Sequence, residues 1–233
     1  MKRATSTPLS ASSAGTREAL LDAAEELLAR QGVAGTSVRE ITTAAGANLG
    51  AINYHFGSKD RLVMEVFLRR VRPIDQERIA RLDALEKGAG KKRIKLADVL
   101  DALIRPLVDE QQNNPKRVAV FKLIGRGFQE VNPEVRALMH EELAILAKRF
   151  DAAILRAVPE MPPQELFWRI TFLIGALHFG LDTWTEFDGR LLPNPDIQPA
   201  RLDRETFIQR IIVFVTAGMA ASAPRKTKAK GNI

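Results

Sequence analysis

The chain has no cysteine, which excludes disulfides, thiolate metal sites and thiol nucleophiles. Its three histidines, His55, His140 and His178, lie far apart in sequence, so neither a histidine metal site nor any cofactor is expected. Alternating β-branched runs are scarce and helix formers dominate, which favours an all-α fold. No apolar run is long enough to span a bilayer: Ile170 to Leu181 and Ile211 to Ala223 are the most apolar stretches, and they read as core or interface helices. No N-terminal apolar segment resembles a signal peptide. A cytoplasmic protein without a membrane partner is expected. G-x-S-x-G, H-E-x-x-H and P-loop motifs are missing. Gly125-Arg126-Gly127-Phe128 begins a G-x-G-x-x-G pattern, but Glu130 replaces the third glycine and the stretch lies in a helical run. An enzyme is not expected.

The net charge of +7 invites a nucleic-acid partner. Its distribution weakens that argument. Residues 1–60 carry six basic and six acidic side chains. The excess sits elsewhere, in Lys87, Lys91, Lys92, Arg93 and Lys95, and in Arg225, Lys226, Lys228 and Lys230 near the C-terminus. Charge is no guide to where DNA would bind. A chain of 233 residues fits one compact domain plus a small one.

Thr36 to Leu62 is more telling. Ser37 with Glu40 three residues on is a capping box, so a helix starts there, with Val38, Ile41, Ala44 and Ala45 as its apolar stripe. Gly46 ends it. Asn48 can cap a second helix, with Ala51 and Ile52 pointing inward and Leu49, Gly50, Asn53, Tyr54 and His55 on the other face. Gly57 stops that helix and Ser58 caps the next. Helix, short glycine-containing turn, helix is the helix-turn-helix plan, whose second helix enters the DNA major groove.

The remaining segments follow from punctuation. Residues 1–14 are Ser/Thr/Ala-rich and expected to be a disordered arm. Helices are predicted over 16–31, 37–45, 48–56, 59–85 with a bend near Pro73, 96–113 with a possible kink at Pro106, 115–130, 133–157, 163–187 and 203–221. Residues 88–93 and 191–199 read as loops, and 223–233 as a basic disordered tail. The domain division expected is 15–60 for DNA binding and 61–222 for ligand binding and dimerisation.

Thr16 to Leu62 resembles the N-terminal signature of the tetracycline-repressor (TetR) family. The resemblance rests on an amphipathic first helix, G-x-x-x-T-[ST]-x-R-x-I from Gly32 to Ile41, A-G at Ala45-Gly46, and Y-H-F-x-[SN]-K from Tyr54 to Lys59. It covers about the first quarter of the chain. It implies an all-α protein: an N-terminal three-helix bundle with a helix-turn-helix, then a C-terminal helical domain for ligand binding and dimerisation. The function implied is a ligand-responsive, sequence-specific transcriptional repressor, acting as a homodimer on a near-palindromic double-stranded operator. The alternative is a helical small-molecule-binding or scaffolding protein without specific DNA binding.

For the DNA contacts, Gly50 lets the backbone approach the groove and the Asn53 amide suits adenine. The resemblance implies that Tyr54, His55 and Lys59 contact phosphates and set register. Asn48 and Leu49 belong to the same face. Arg39 can reach a guanine or a phosphate, and Ser37 can donate to phosphate or serve only as a cap. The chain departs from the common pattern in having Asn53 where a tyrosine is frequent, and Leu49 with Gly50 where polar residues are frequent.

In the C-terminal part, Leu103, Leu107, Phe121, Ile124, Phe128, Met139, Leu143, Trp168, Phe172 and Trp184 are candidates for a pocket or for ordinary core. Arg126, flanked by glycines and apolar neighbours, can hold an anion or snorkel to solvent. His178 and Asp182, spaced i, i+4, can form a core pair or touch a ligand. The segment Arg126 to Glu142 is distantly similar to acyl-responsive members of the family such as the PsrA type, which implies a small apolar effector, an acyl compound being the candidate. The helix 163–187 is apolar nearly all round, and Gly175, Ala176 and Gly180 would allow close approach. In proteins resembling this one the last two helices form a two-fold dimer interface.

Overall fold

A computed structural model describes residues 9–90, 92–113, 133–186 and 200–222. These residues form eight α-helices and no strand. They are α1 (Leu9–Gly35), α2 (Val38–Ala44), α3 (Ala51–Phe56), α4 (Lys59–Ala89), α5 (Leu96–Asn113), α6 (Pro133–Ala157), α7 (Pro163–Thr185) and α8 (Arg204–Ala220). The predicted helix 115–130, the loop 191–199 and the tail lie outside the described residues. So do the candidates Phe121, Ile124, Arg126 and Phe128.

Two compact units divide the chain, Met1–Asp75 with Asn114–Ala144, and Gln76–Asn113 with Ile145–Ile233. The first is larger than the segment 15–60 expected for DNA binding. α4 and α6 each contribute residues to both.

In the first unit α1 begins at Leu9, so residues 9–14 are helical rather than part of a disordered arm. The run Ser10 to Ala14 contains no helix breaker. The regular helix ends at a kink at Gly32 (φ 73°, ψ 179°), close to the predicted end. Leu20, Leu21, Ala24 and Leu28 of α1, Ile41 of α2, Ile52 and Phe56 of α3, and Leu62, Val66, Phe67 and Val71 of α4 form one core. Met139 is buried in that core and Leu143 packs against it. Met139, a pocket candidate by sequence, thus contributes to the interior that supports the helix-turn-helix. Arg70 of α4 holds Glu25 of α1 through two hydrogen bonds of 2.7 and 2.6 Å from a mostly buried position, the planar geometry that makes such pairs strong.

In the second unit α5 and α7 both pack against α8. Val99, Leu100, Ile104 and Val108 of α5, Leu173, Leu177 and Leu181 of α7, and Ile208, Val215 and Met219 of α8 are buried. Asp203 caps α8, accepting from the Thr206 amide at 2.9 Å and the Thr206 hydroxyl at 2.8 Å. These bonds hold the Asp203 carboxyl below its usual range. Arg105 of α5 bridges Asp101 on its own helix and Glu205 of α8, at 2.7 and 2.6 Å. The bond from Arg105 keeps Glu205 below the ordinary glutamate value. Trp184, a pocket candidate by sequence, has a structural post instead. Its indole N–H donates to the Leu202 carbonyl at 2.8 Å, and its ring stacks on Phe207 with centroids 4.9 Å apart.

Arg169 is the buried cation of α7. It donates to the carbonyls of Met219 and, at 2.7 Å, of Ala221, and so closes the C-terminal end of α8. Those carbonyls have no partner within their own helix, and a cation there also meets the negative end of the helix dipole. Arg169→Met keeps the bulk and removes the donors. It is expected to destabilise the fold by about 1–3 kcal/mol, read as a lower urea midpoint with an unchanged slope.

Candidate DNA interface

The helix-turn-helix is assembled by local chemistry. Ser37 is the N-cap of α2: its hydroxyl accepts from the Glu40 amide at 3.2 Å, and its own amide donates to the Glu40 carboxylate at 2.8 Å. This is the predicted capping box. The Ser37 hydroxyl also donates to that carboxylate at 2.6 Å, so Ser37 is a cap first, although it stays exposed. The bonds from Ser37, hydroxyl first and then amide, lower the Glu40 pKa. A carboxyl whose folded pKa is depressed stabilises above its unfolded value and loses that contribution as pH falls through the folded value. The box therefore weakens below about pH 4.5. Ser37→Ala is expected to lower Tm by about 2–4 °C, and its difference from wild type should shrink in acid, as thermal melts across pH 3–7 would record.

Gly46 (φ 63°) carries the chain out of α2 in a conformation that a side chain would strain, and Gly57 (φ 80°) does the same after α3. α3 is shorter than predicted. It starts at Ala51 with Gly50 as N-cap, and no side chain closes its first turn. Asn48 instead offers its backbone carbonyl to the Ala51 amide at 3.1 Å. The expectation that the Asn48 side chain caps the helix fails: Leu49 and Gly50 form a turn, and the regular helix begins only at Ala51. The Asn48 side chain is exposed.

Ala51, Ile52 and Phe56 turn into the core. Asn48, Leu49, Gly50, Asn53 and Tyr54 are all exposed, and His55 is half-buried. The structure thus brings the predicted contact residues of this stretch onto one surface. Tyr54 is 80% exposed, and its ring meets His55 edge-on with centroids 4.9 Å apart. Arg39 is exposed on α2. Lys59, half-buried at the start of α4, has a duty the sequence did not reveal: its ammonium donates to the Val33 carbonyl at 2.8 Å, closing the end of α1. Ammonium has three donors, so two remain for a phosphate. Arg61, exposed in the first turn of α4, is a further cation beside the α3–α4 corner that the motif did not single out.

The pocket candidates are not brought together in this way. Leu107 is buried and Leu103 half-buried on α5. Trp168 is 55% and Phe172 67% exposed, on the open face of α7 rather than inside the unit. They share that face with Phe167, Ile174 and Phe179, and Val213 and Phe214 of α8 are equally open. A groove of about 440 Å³ runs there, lined by Arg169, Phe172, Leu173, Val213, Phe214 and Met219 among others. A second groove of about 510 Å³ is lined by Arg81, Leu85, Asp98, Asp101 and Ile212 among others. Leu103, Leu107, Trp168 and His178 line neither. Burial pushes the His178 imidazole below its ordinary value, with Arg78 acting in the same direction and Asp182 against it. The i, i+4 pair therefore meets through charge, and Asp182 itself is exposed. Gly175 and Gly180 differ: a Cβ at 175 would meet nothing within 4 Å, whereas one at 180 would touch the Phe207 ring at 3.6 Å. Gly180 serves packing of α7 on α8 within the chain, and Gly175 lies on the open apolar face.

Residues 20–66 match the family described as bacterial regulatory proteins, tetR family, and residues 101–218 match the tetracyclin repressor-like C-terminal domain. The transcriptional regulator AcrR of Shigella flexneri is 46% identical over 52 residues, which is 22% of this chain and 24% of that protein. The regulator BetI of Agrobacterium fabrum is 25% identical over 165 residues, 71% of this chain and 74% of that one. Among solved structures, NalD of Pseudomonas aeruginosa, the secondary repressor of the MexAB-OprM multidrug efflux pump, superposes with a TM-score of 0.58 at 24% identity, covering 88% of this chain and 97% of its own. The first curated relatives are thus matched over about a quarter of their length.

Proposed function

Because the chain belongs to the tetR family of bacterial regulatory proteins, we propose that it is a ligand-responsive repressor that binds one specific operator as a homodimer. The observation that carries this reading is the exposed set Asn48, Leu49, Gly50, Asn53 and Tyr54, held outward by a short helix whose other face is fixed in the core. Exposed side chains at that position are available to a groove. Two copies related by a two-fold axis would set their recognition helices about 34–36 Å apart, on successive major grooves of a near-palindromic site.

The dimer would form through the open faces of α7 and α8. Seven large apolar side chains exposed there, among them Phe167, Trp168, Phe172 and Phe214, form a patch that a soluble monomer rarely leaves in water. An effector acts by binding better to a conformation whose helix spacing misfits the operator. α4 and α6, whose residues belong to both units, are the levers such a change would move. The effector class favoured is apolar with an anionic end, such as a fatty acid or its thioester. The support for it is Arg126 among apolar neighbours in the sequence. The pocket residues proposed with it are Leu103, Leu107, Phe121, Ile124, Phe128 and His178.

Binding-site selection with the purified protein, followed by release assays against fatty acids, acyl thioesters, sugars and cationic drugs, tests the whole reading. One enriched near-palindrome released by acyl compounds is the expected result. Selection without enrichment would reject the regulator; release by cationic or sugar-like compounds alone would reject the acyl effector and leave the regulator standing.

A further inference from the structure

Among the described residues, the recognition surface has one large aliphatic side chain left open to solvent. Leu49 sits in the turn leading into α3 and is 56% exposed. Among the described residues of the first unit, Leu49 and Tyr54 are the large apolar side chains left open. Tyr54 has a hydroxyl to offer to phosphate or water. Leu49 has no polar atom, so phosphates and most base edges give it nothing. The neighbouring Gly50 adds no side chain, and a Cβ there would meet only the Asn48 amide oxygen at 3.5 Å. Leu49 is therefore free to advance into a groove ahead of the backbone.

We propose that Leu49 is a specificity-determining residue that takes the C5-methyl group of a thymine in each operator half-site. This rests on the reading of the chain as an operator-binding dimer. In the major groove the thymine methyl is the one base-edge group that complements an aliphatic side chain. The helical path runs from Gly50, whose carbonyl accepts from the Tyr54 amide at 3.0 Å, and Leu49 immediately precedes it, four residues before Asn53 and exposed like it, a spacing close to one helical turn. One turn rises about 5.4 Å against about 3.4 Å per base pair. The thymine held by Leu49 thus lies within about two base pairs of the adenine that suits the Asn53 amide, and the half-site carries an A·T-containing core read by one aliphatic and one amide side chain.

The test uses the duplex enriched by selection with the wild-type protein. Each thymine of a half-site is replaced in turn by deoxyuridine, which keeps every hydrogen-bonding atom and lacks only the methyl. Binding is measured with wild type and with Leu49→Ala, a change at an exposed position that leaves the core intact. Burial of one methyl corresponds to about a fourfold change in affinity. One uridine position per half-site is expected to weaken wild-type binding about fourfold, with no further loss in Leu49→Ala. Uridine duplexes that all bind wild type like the thymine duplex would overturn the Leu49 assignment while leaving an operator-binding protein. A uridine effect that persists undiminished in Leu49→Ala would assign the methyl to another residue. A selection that enriches nothing would overturn the proposal together with the reading beneath it.

Discussion

Gly175→Arg is expected to yield a folded monomer that has lost operator binding by about 10²–10⁴-fold. A Cβ at position 175 meets nothing within 4 Å in the single chain and the position is exposed, so the second unit is expected still to fold. Its charge, however, falls on the open face of α7 that carries Phe172 and Phe179, the face proposed to meet a second copy. A guanidinium buried there without a partner costs more than the contact returns. Each recognition helix alone then grips half a site, and the effective-concentration advantage of two linked helices disappears. Light scattering at micromolar concentration and a gel shift on the selected operator measure both halves of the prediction. Gly180→Arg is the informative control, because a Cβ there already touches the Phe207 ring, so a bulky charged side chain at that packed position should lower Tm before it changes assembly. A dimeric Gly175→Arg protein with normal affinity would place the interface elsewhere.

Lys59→Ala is expected to weaken binding to every DNA sequence by roughly tenfold at low salt and to reduce the magnitude of the salt slope by about 0.9, the signature of one lost phosphate contact. The hydrogen bond from Lys59 to Val33 complicates the reading, since its loss also leaves the end of α1 open. Thermal melts separate the two effects. A fall in Tm with the salt slope unchanged would make Lys59 a positioning residue for α1 and α4, and the phosphate assignment would be abandoned. Arg39→Ala, at an exposed position of α2 without that structural duty, should change affinity with little change in Tm.

What could be read in advance was local. The Ser37–Glu40 box, the limits of α5 at Leu96 and Asn113, the start of α6 at Pro133 and the Asp203 cap of α8 each depend on residues within four positions of one another. Asn48 departs from its expected capping role even at that range, because a turn at Leu49 and Gly50 stands between it and the regular helix. Long-range partners were invisible for a different reason. Nothing near Lys59 in sequence points to Val33, and nothing near Arg169 points to the last carbonyls of α8, fifty residues on. Aromatic residues carried the same ambiguity. Trp168 and Trp184 lie on one apolar helix, yet one faces outward and the other is stacked on Phe207, because α8 covers only part of the helix. Periodicity identifies an apolar face without saying which neighbour covers it. The candidate DNA surface was legible because its punctuation is local; the surroundings of the pocket candidates were not, because they depend on packing between separate helices.

The seat of Met139 bears on how such a regulator can be taken apart. Sensor engineering often exchanges reading heads between proteins at a seam placed after the recognition motif. Here a head cut after Asp75 would leave behind Met139 and Leu143, two side chains that complete its hydrophobic interior. The transplanted piece would carry a methionine-sized void, with the loss of stability that voids of that size bring. A working graft needs a two-segment seam that carries the opening turns of α6 along with α1 to α4, or a recipient whose own helix offers a side chain of matching volume at that seat.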